Sequence, residues 1–198
     1  KRRSFLNFTF FMKIFLSILV FIFSLQPWTM ADDIRDFEIE GISIGDSALE
    51  FFSQTELKNA YEIHDYKNKK FRYYFLSYKN SKTYEYLQIS VIPSDEKFII
   101  HGIDGHIFYE NNIDDCYKKM EIVKKEISDV LNKNPIDDQG NHPSFKNSSY
   151  KRSIFRFKNG FAELVCYDMS NESNKTDRFA ITLKNSKFGK FLTEEAYN

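Results

Sequence analysis

The stretch SIFRFKNGFAELVCY, residues 153–167, decides the fold. Residues 153–158 and 161–167 flank Asn159-Gly160, a pair that readily takes the positive φ angles of a tight type I′ turn, so the stretch reads as an antiparallel hairpin. Outward from it, residues 178–183 carry Phe179, Ile181 and Leu183 in strict alternation, one buried face of a further strand. Upstream, 71–78 and 84–93 are aromatic and branched runs on either side of the polar loop 79–83. A third such run, 97–109, follows the turn 93–96, and the three form a meander. Between the two strand groups Ile113, Cys116, Tyr117, Met120, Val123, Ile127, Val130 and Leu131 recur at helical spacing. Lys118, Lys119, Glu121, Lys124, Lys125 and Asp129 stand opposite, so 113–132 is an amphipathic helix. Asn112 is placed to cap it, and Asp114 and Asp115 suit the positive end of its dipole.

At the other end of the chain, Phe37-Glu38-Ile39-Glu40 and Ile42-Ser43-Ile44 alternate on each side of Gly41 but change phase across it. That pattern predicts a strand bulged or bent at the glycine. Gly45-Asp46 ends it. Asp46 then caps a helix whose apolar positions are Leu49, Phe52 and Leu57, with a restart at the capping signal Ser53-x-x-Glu56. Phe188, Phe191 and Leu192 predict a short closing helix, and 132–150, polar and aperiodic with Pro135 and Pro143, reads as a loop. The expected class is α+β. An antiparallel sheet of about six strands carries one long helix on one face, with short helices near the N- and C-terminal ends.

The chain opens at Lys1 and its first Met is Met12, so residues 1–11 are read as an over-extended reading frame or a gene fragment and left out of the fold argument. After Met12 come Lys13, the apolar run 14–25, Gln26-Pro27 and the small-residue site Thr29-Met30-Ala31, the order of a secretory signal cleaved after Ala31. Uncleaved, this segment is the chain's one route to a membrane. The expected division is therefore a signal peptide, 1–31, and one α+β domain, 32–198, a size ample for a hydrophobic core. The signal holds four of the 28 Lys and Arg (Lys1, Arg2, Arg3, Lys13) and no acid, which leaves 24 basic against 28 acidic residues. A nucleic-acid partner needs a clustered basic excess instead, so that class is set aside.

Cys116 and Cys166 are the two cysteines, an even count in an exported chain. One lies on the apolar helix face and the other alternates with Ala162 and Leu164, the strand face turned to a helix. They are expected to pair, closing a loop of about fifty residues worth on the order of 4 kcal/mol in the chain-entropy model. His101, Asp104 and His106, in HGIDGH, are the one cluster that evokes a metal. In a regular strand, however, residues 101 and 106 point to opposite faces. Neither a metal nor a cofactor is expected. No serine elbow, HExxH or Ser-x-x-Lys occurs, so no catalytic residue is named. Tyr84 and Tyr86 are expected on one face of the first hairpin, where rings with an apolar body and a polar tip serve either cross-strand packing or a binding surface.

FEIEGISIGDSAL (37–49), GIDGHIFY (102–109), Cys116-Tyr117-Lys118-Lys119, Val165-Cys166-Tyr167-Asp168 and Glu194-Glu195-Ala196-Tyr197 together carry a resemblance. The chain resembles small exported proteins of AT-rich marine alphaproteobacteria of the Pelagibacter kind. The match is weakest in 60–70 and 132–150. The resemblance implies a bacterial source and a periplasmic location, and it transfers no activity, cofactor or site residue. Two functional expectations follow. One is a non-catalytic module that binds a ligand or an envelope protein in the periplasm or outside the cell; the other is a hydrolase whose site assembles only in the fold.

Overall fold

A computed structural model describes residues 32–110 and 112–196. The expected signal segment lies outside the described residues, as does Tyr197 of the resemblance. The described elements are β1 (Glu38–Ile39), β2 (Ile42–Ser43), α1 (Gln54–Lys58), β3 (Glu62–Asp65), β4 (Arg72–Leu76), β5 (Tyr86–Val91) and β6 (Ile100–Tyr109). They continue with α2 (Ile113–Leu131), β7 (Ile136–Asn141), β8 (Ser149–Phe157), β9 (Gly160–Asp168), β10 (Asp177–Asn185) and α3 (Ser186–Glu194).

One antiparallel sheet of eight strands, in the order β3-β4-β5-β6-β10-β9-β8-β7, carries α2 across one face. The α+β class holds, but the sheet has eight strands rather than about six. The two extra strands are its edges. β7 lies inside the stretch read as a loop, with the polar sequence IDDQGN, and is strand only because β8 supplies backbone partners from Ile136↔Ile154 to Asn141↔Ser149. An edge strand with little to bury shows no apolar alternation, which is why the loop reading failed there.

The segment 37–44 is also different from expectation. Ile39 pairs with Ile42 and the two residues between them, Glu40 and Gly41, have φ of 53° and 80°. It is thus a small separate hairpin rather than a bulged strand. Directly opposed residues of a hairpin share a face, which accounts for the phase change across Gly41. The Glu40 carboxylate, held out by this turn, accepts from the backbone N–H groups of Lys82 and Thr83 and from the Ser81 hydroxyl. The first helical turn is capped by Ser47, whose hydroxyl accepts from Leu49 N, while Asp46 accepts from Ser43 N inside the preceding turn. The Ser53/Glu56 capping box opens α1 as expected.

The hairpin at 153–167 forms with a shifted turn. Phe157 pairs with Gly160, so the loop residues are Lys158 and Asn159, and of the two only Asn159 has positive φ, 63°. Gly160 serves a different purpose: a Cβ there would lie 2.3 Å from the Lys184 carbonyl oxygen and against Ile34. Close approach of two backbones fixes the glycine.

The core lies between the sheet and a cover made of α2 and residues 34–57. Leu87, Ile89, Ile103, Leu164, Ile181 and Leu183 from the strands meet Met120, Ile127 and Leu131 of α2 and Ile34, Ile42 and Phe52 of the N-terminal segment. Val130, expected on this helix face, is exposed. Asn112 does not cap through its side chain; its amide donates to Asp115, and the helix ends on a left-handed Asn132. Cys116 of α2 and Cys166 of β9 are joined by a disulfide with Cα atoms 6.0 Å apart. The opposite sheet face is covered at one end only, where Phe188 and Phe191 of α3 pack with Tyr66 and Phe71 in a second apolar cluster.

Candidate functional site

Alternation along each strand sends one set of side chains to the face away from α2, and strand register sorts this set into rows. Phe108, Arg178, Tyr167 and Tyr150 form one row across β6, β10, β9 and β8. Tyr86, His106, Ala180, Val165 and Arg152 form the next, across β5 to β8. Gln88, Asp104, Thr182 and Glu163 form a third, and the fourth, containing Gly102 and Phe161, lies under α3.

The third row and its neighbours make a buried polar layer. Glu163, 5 % exposed, accepts from Arg152 (3.1 Å) and from Lys184 Nζ (3.1 Å). Burial works against its charge, but Lys184 and Arg152 outweigh it and hold the carboxyl below its usual range. The Lys184 ammonium is likewise penalised by burial, yet Glu163 and Asp104 together raise it. Arg152 also grips Asp138 through Nε (2.9 Å) and Nη2 (2.6 Å), and the Tyr150 hydroxyl donates to the same carboxylate. Asp104 accepts from Gln88 Nε2 at 3.0 Å; burial pushes its carboxyl up, against the pull of Lys184. This layer is ion-paired and hydrogen-bonded within itself, as buried charges require.

Two groups beside the layer are not. His106 is 6 % exposed, and neither of its ring nitrogens has a hydrogen-bond partner among the described residues. Phe75 and Phe108 lie against the ring, with centroids 5.2 and 6.5 Å away. Burial, reinforced by Arg178 and Lys184, lowers its pKa to about 3, so the imidazole is neutral. Arg178, half-buried, has its guanidinium carbon 4.6 Å from the Tyr167 ring centroid. No carboxylate among the described residues lies within ion-pair distance of it. Burial disfavours its charge.

Around these two groups the face is aromatic. Tyr86 stacks on Phe75 at 5.0 Å, meets Phe108 edge-on at 5.9 Å, and approaches Tyr61, which is 79 % exposed. Tyr84, expected beside Tyr86, is on the other face: its ring covers Gly105 where a Cβ would be 2.7 Å away, and it packs against the α2-side core. The reason is local. The Ser81 hydroxyl donates to Tyr84 O and accepts from Tyr84 N, turning the chain before β5 begins at Tyr86, so the alternation of two does not reach back to Tyr84. Tyr86 alone remains on the open face.

In HGIDGH, Asp104 and His106 share the open face while His101 sits at the sheet end, its Nδ1 2.7 Å from Asn185 Nδ2. Among the described residues no group of three or more His, Cys, Asp or Glu is placed to hold a metal. Ser90 Oγ is a second buried hydroxyl without a partner, but Ser90 pairs with Gly102, four residues along β6 from His106. At about 3.3 Å per residue that is roughly 13 Å, too far for a serine and its base.

Arg152, Glu163, Arg178 and Lys184 were not legible as site residues. Each is the polar member of an apolar/polar alternation, a pattern that ordinarily marks a solvated face; what distinguishes them is burial by neighbours on other strands. Comparison of the chain with family models, with curated proteins and with solved structures finds no match, so its fold and site stand on their own geometry.

Proposed function

We propose that this chain is an exported, non-catalytic binding module of the bacterial periplasm, whose ligand or envelope partner contacts the sheet face away from α2. The observation that carries the reading is the contrast between the two faces. One is sealed by α2, the N-terminal segment and a disulfide; the other presents half-exposed Phe75, Tyr86, Phe108 and Tyr167 around Arg178. Half-exposed aromatic rings with an arginine among them are the residue types that dominate binding hot spots. The disulfide supports an oxidising compartment. Among the described residues no helix is long and apolar enough to cross a membrane. The resemblance to exported Pelagibacter-like proteins supports the same location.

A hydrolase is the weaker reading, because among the described residues no serine, threonine or cysteine hydrogen-bonds to the orphan His106. The test is capture of whatever co-purifies from periplasm, identified by mass spectrometry, with Tyr86→Ser/Phe108→Ser beside the parent chain. The double variant should retain its thermal unfolding profile and lose the co-purifying species. Equal capture by both would remove the open face from the reading.

A further inference from the structure

We propose that the open sheet face holds a specific site for a planar aromatic carboxylate, with Arg178 and His106 as the paired donors. This rests on the binding-module reading and names its ligand class.

The geometry begins with an unsatisfied imidazole and, in the adjacent row, a guanidinium that has no ion pair among the described residues. His106 and Arg178 stand on neighbouring strands, β6 and β10, and register puts Ala180 opposite His106 and Phe108 opposite Arg178. A buried histidine with both nitrogens unpartnered is a net cost to folding; beside it Arg178 carries a charge that burial disfavours and that Asp104 and Glu62 support only from beyond ion-pair distance. The charged groups of the polar layer are paired or hydrogen-bonded among themselves; next to them the neutral His106 has no hydrogen-bond partner and Arg178 has no ion pair among the described residues. A shared external partner satisfies both at once.

Its chemistry follows from the donors. The Arg178 guanidinium carbon lies 4.6 Å from the Tyr167 ring centroid, a cation–π contact that occupies none of the five N–H donors of its fork. A fork of that kind matches the two oxygens of a carboxylate. The imidazole, neutral, offers one further N–H to the same anion. Glu163 and Asp138 already neutralise Arg152 and Lys184, so the positive charge on this face is concentrated at Arg178. The body of the ligand is set by what flanks the fork: Phe108 beside Arg178, and Tyr86 beside His106, whose rings meet edge-on at 5.9 Å. Offset and edge-on ring contacts favour a planar aromatic body over a branched aliphatic one.

The test uses the full sequence expressed for export, with histidine rings labelled for NMR, and three probes: benzoate, neutral benzamide and inorganic phosphate. Benzoate should shift the His106 ring signals saturably, with a dissociation constant on the order of 1 mM or tighter. Benzamide and phosphate should leave them in place. Arg178→Lys, which keeps the charge but loses the fork, should weaken benzoate by about tenfold, and Arg178→Met should abolish the shift. Should Arg178→Met unfold, Arg178→Lys carries the comparison. Absence of saturable binding, equal binding of benzamide, tighter binding of phosphate, or benzoate binding untouched in the arginine variants would each overturn the proposal. Such a failure, with capture of a periplasmic partner still lost in Tyr86→Ser/Phe108→Ser, removes the carboxylate and leaves the binding module standing.

Discussion

At the scale of single residues, His106 is where stability and the proposed function pull apart. Its unpartnered nitrogens are a liability in the absence of a ligand, so His106→Leu should raise the unfolding free energy by about 1–3 kcal/mol while abolishing the benzoate response. The same residue sets a pH dependence. Burial holds its folded pKa at about 3, below the usual value near 6.5, so it adds no proton-linked penalty above pH 6.5 and destabilises the fold progressively as pH falls toward 3. The slope is at most about 1.4 kcal/mol per pH unit. Asp104 on β6, Arg178 and Lys184 on β10 and Tyr86 on β5 face the imidazole. Asp104, with its carboxyl pushed up, titrates in the opposite sense in both proteins. Denaturant unfolding of parent and His106→Leu between pH 7 and 4 should therefore show a gap that widens on acidification; a constant gap would place the ring in solvent. Gly160 gives a purely steric expectation. Gly160→Ala drives a Cβ into the Lys184 carbonyl at 2.3 Å and should cost about 1–3 kcal/mol, read as a lowered melting temperature.

At the scale of elements, the disulfide joins the one long helix to a central strand, and α2 has its apolar contacts on that same side. Reduction, or Cys116→Ser/Cys166→Ser, should lower stability by about 4 kcal/mol in the chain-entropy model without exposing the open face. Thermal unfolding with and without reductant measures this, and an unchanged midpoint would mean that α2 is held by packing alone. The elements also show where sequence is informative. Strands β4, β5, β6, β8, β9 and β10 and helix α2 are amphipathic over a full face each, and their periods announce them. Strands β3 and β7 have only one neighbour each and little to bury, so their sequence carries no period and pairing alone makes them strands.

For the whole molecule, the two sheet faces divide the work. The α2 side is apolar, covered and cross-linked; the other is polar at its centre, capped by α3 at one end and aromatic at the other. Export is the reading that joins the disulfide to the N-terminal sequence. The form recovered from periplasm should begin at Asp32, as N-terminal sequencing would show; a chain that retains Met12 and sediments with membranes would refute cleavage.

The sequence by itself determined the α+β class, that the two strands of the 153–167 hairpin pair, a long helix starting at Ile113 and the face each cysteine occupies, because each of these is written in a local period of two or 3.6. Only the tertiary structure decided the rest. Tyr84 and Tyr86 part company because a serine hydroxyl bends the chain between two strands, a contact no alternation records. Arg152, Glu163 and Lys184 look like solvent-facing residues in sequence and become a buried ion-paired layer because β8, β9 and β10 bring them side by side. His106 and Arg178, 72 positions apart in the chain, become neighbours by register alone. Burial is a property of what the other strands place around a residue, and a linear pattern holds no information about partners that distant.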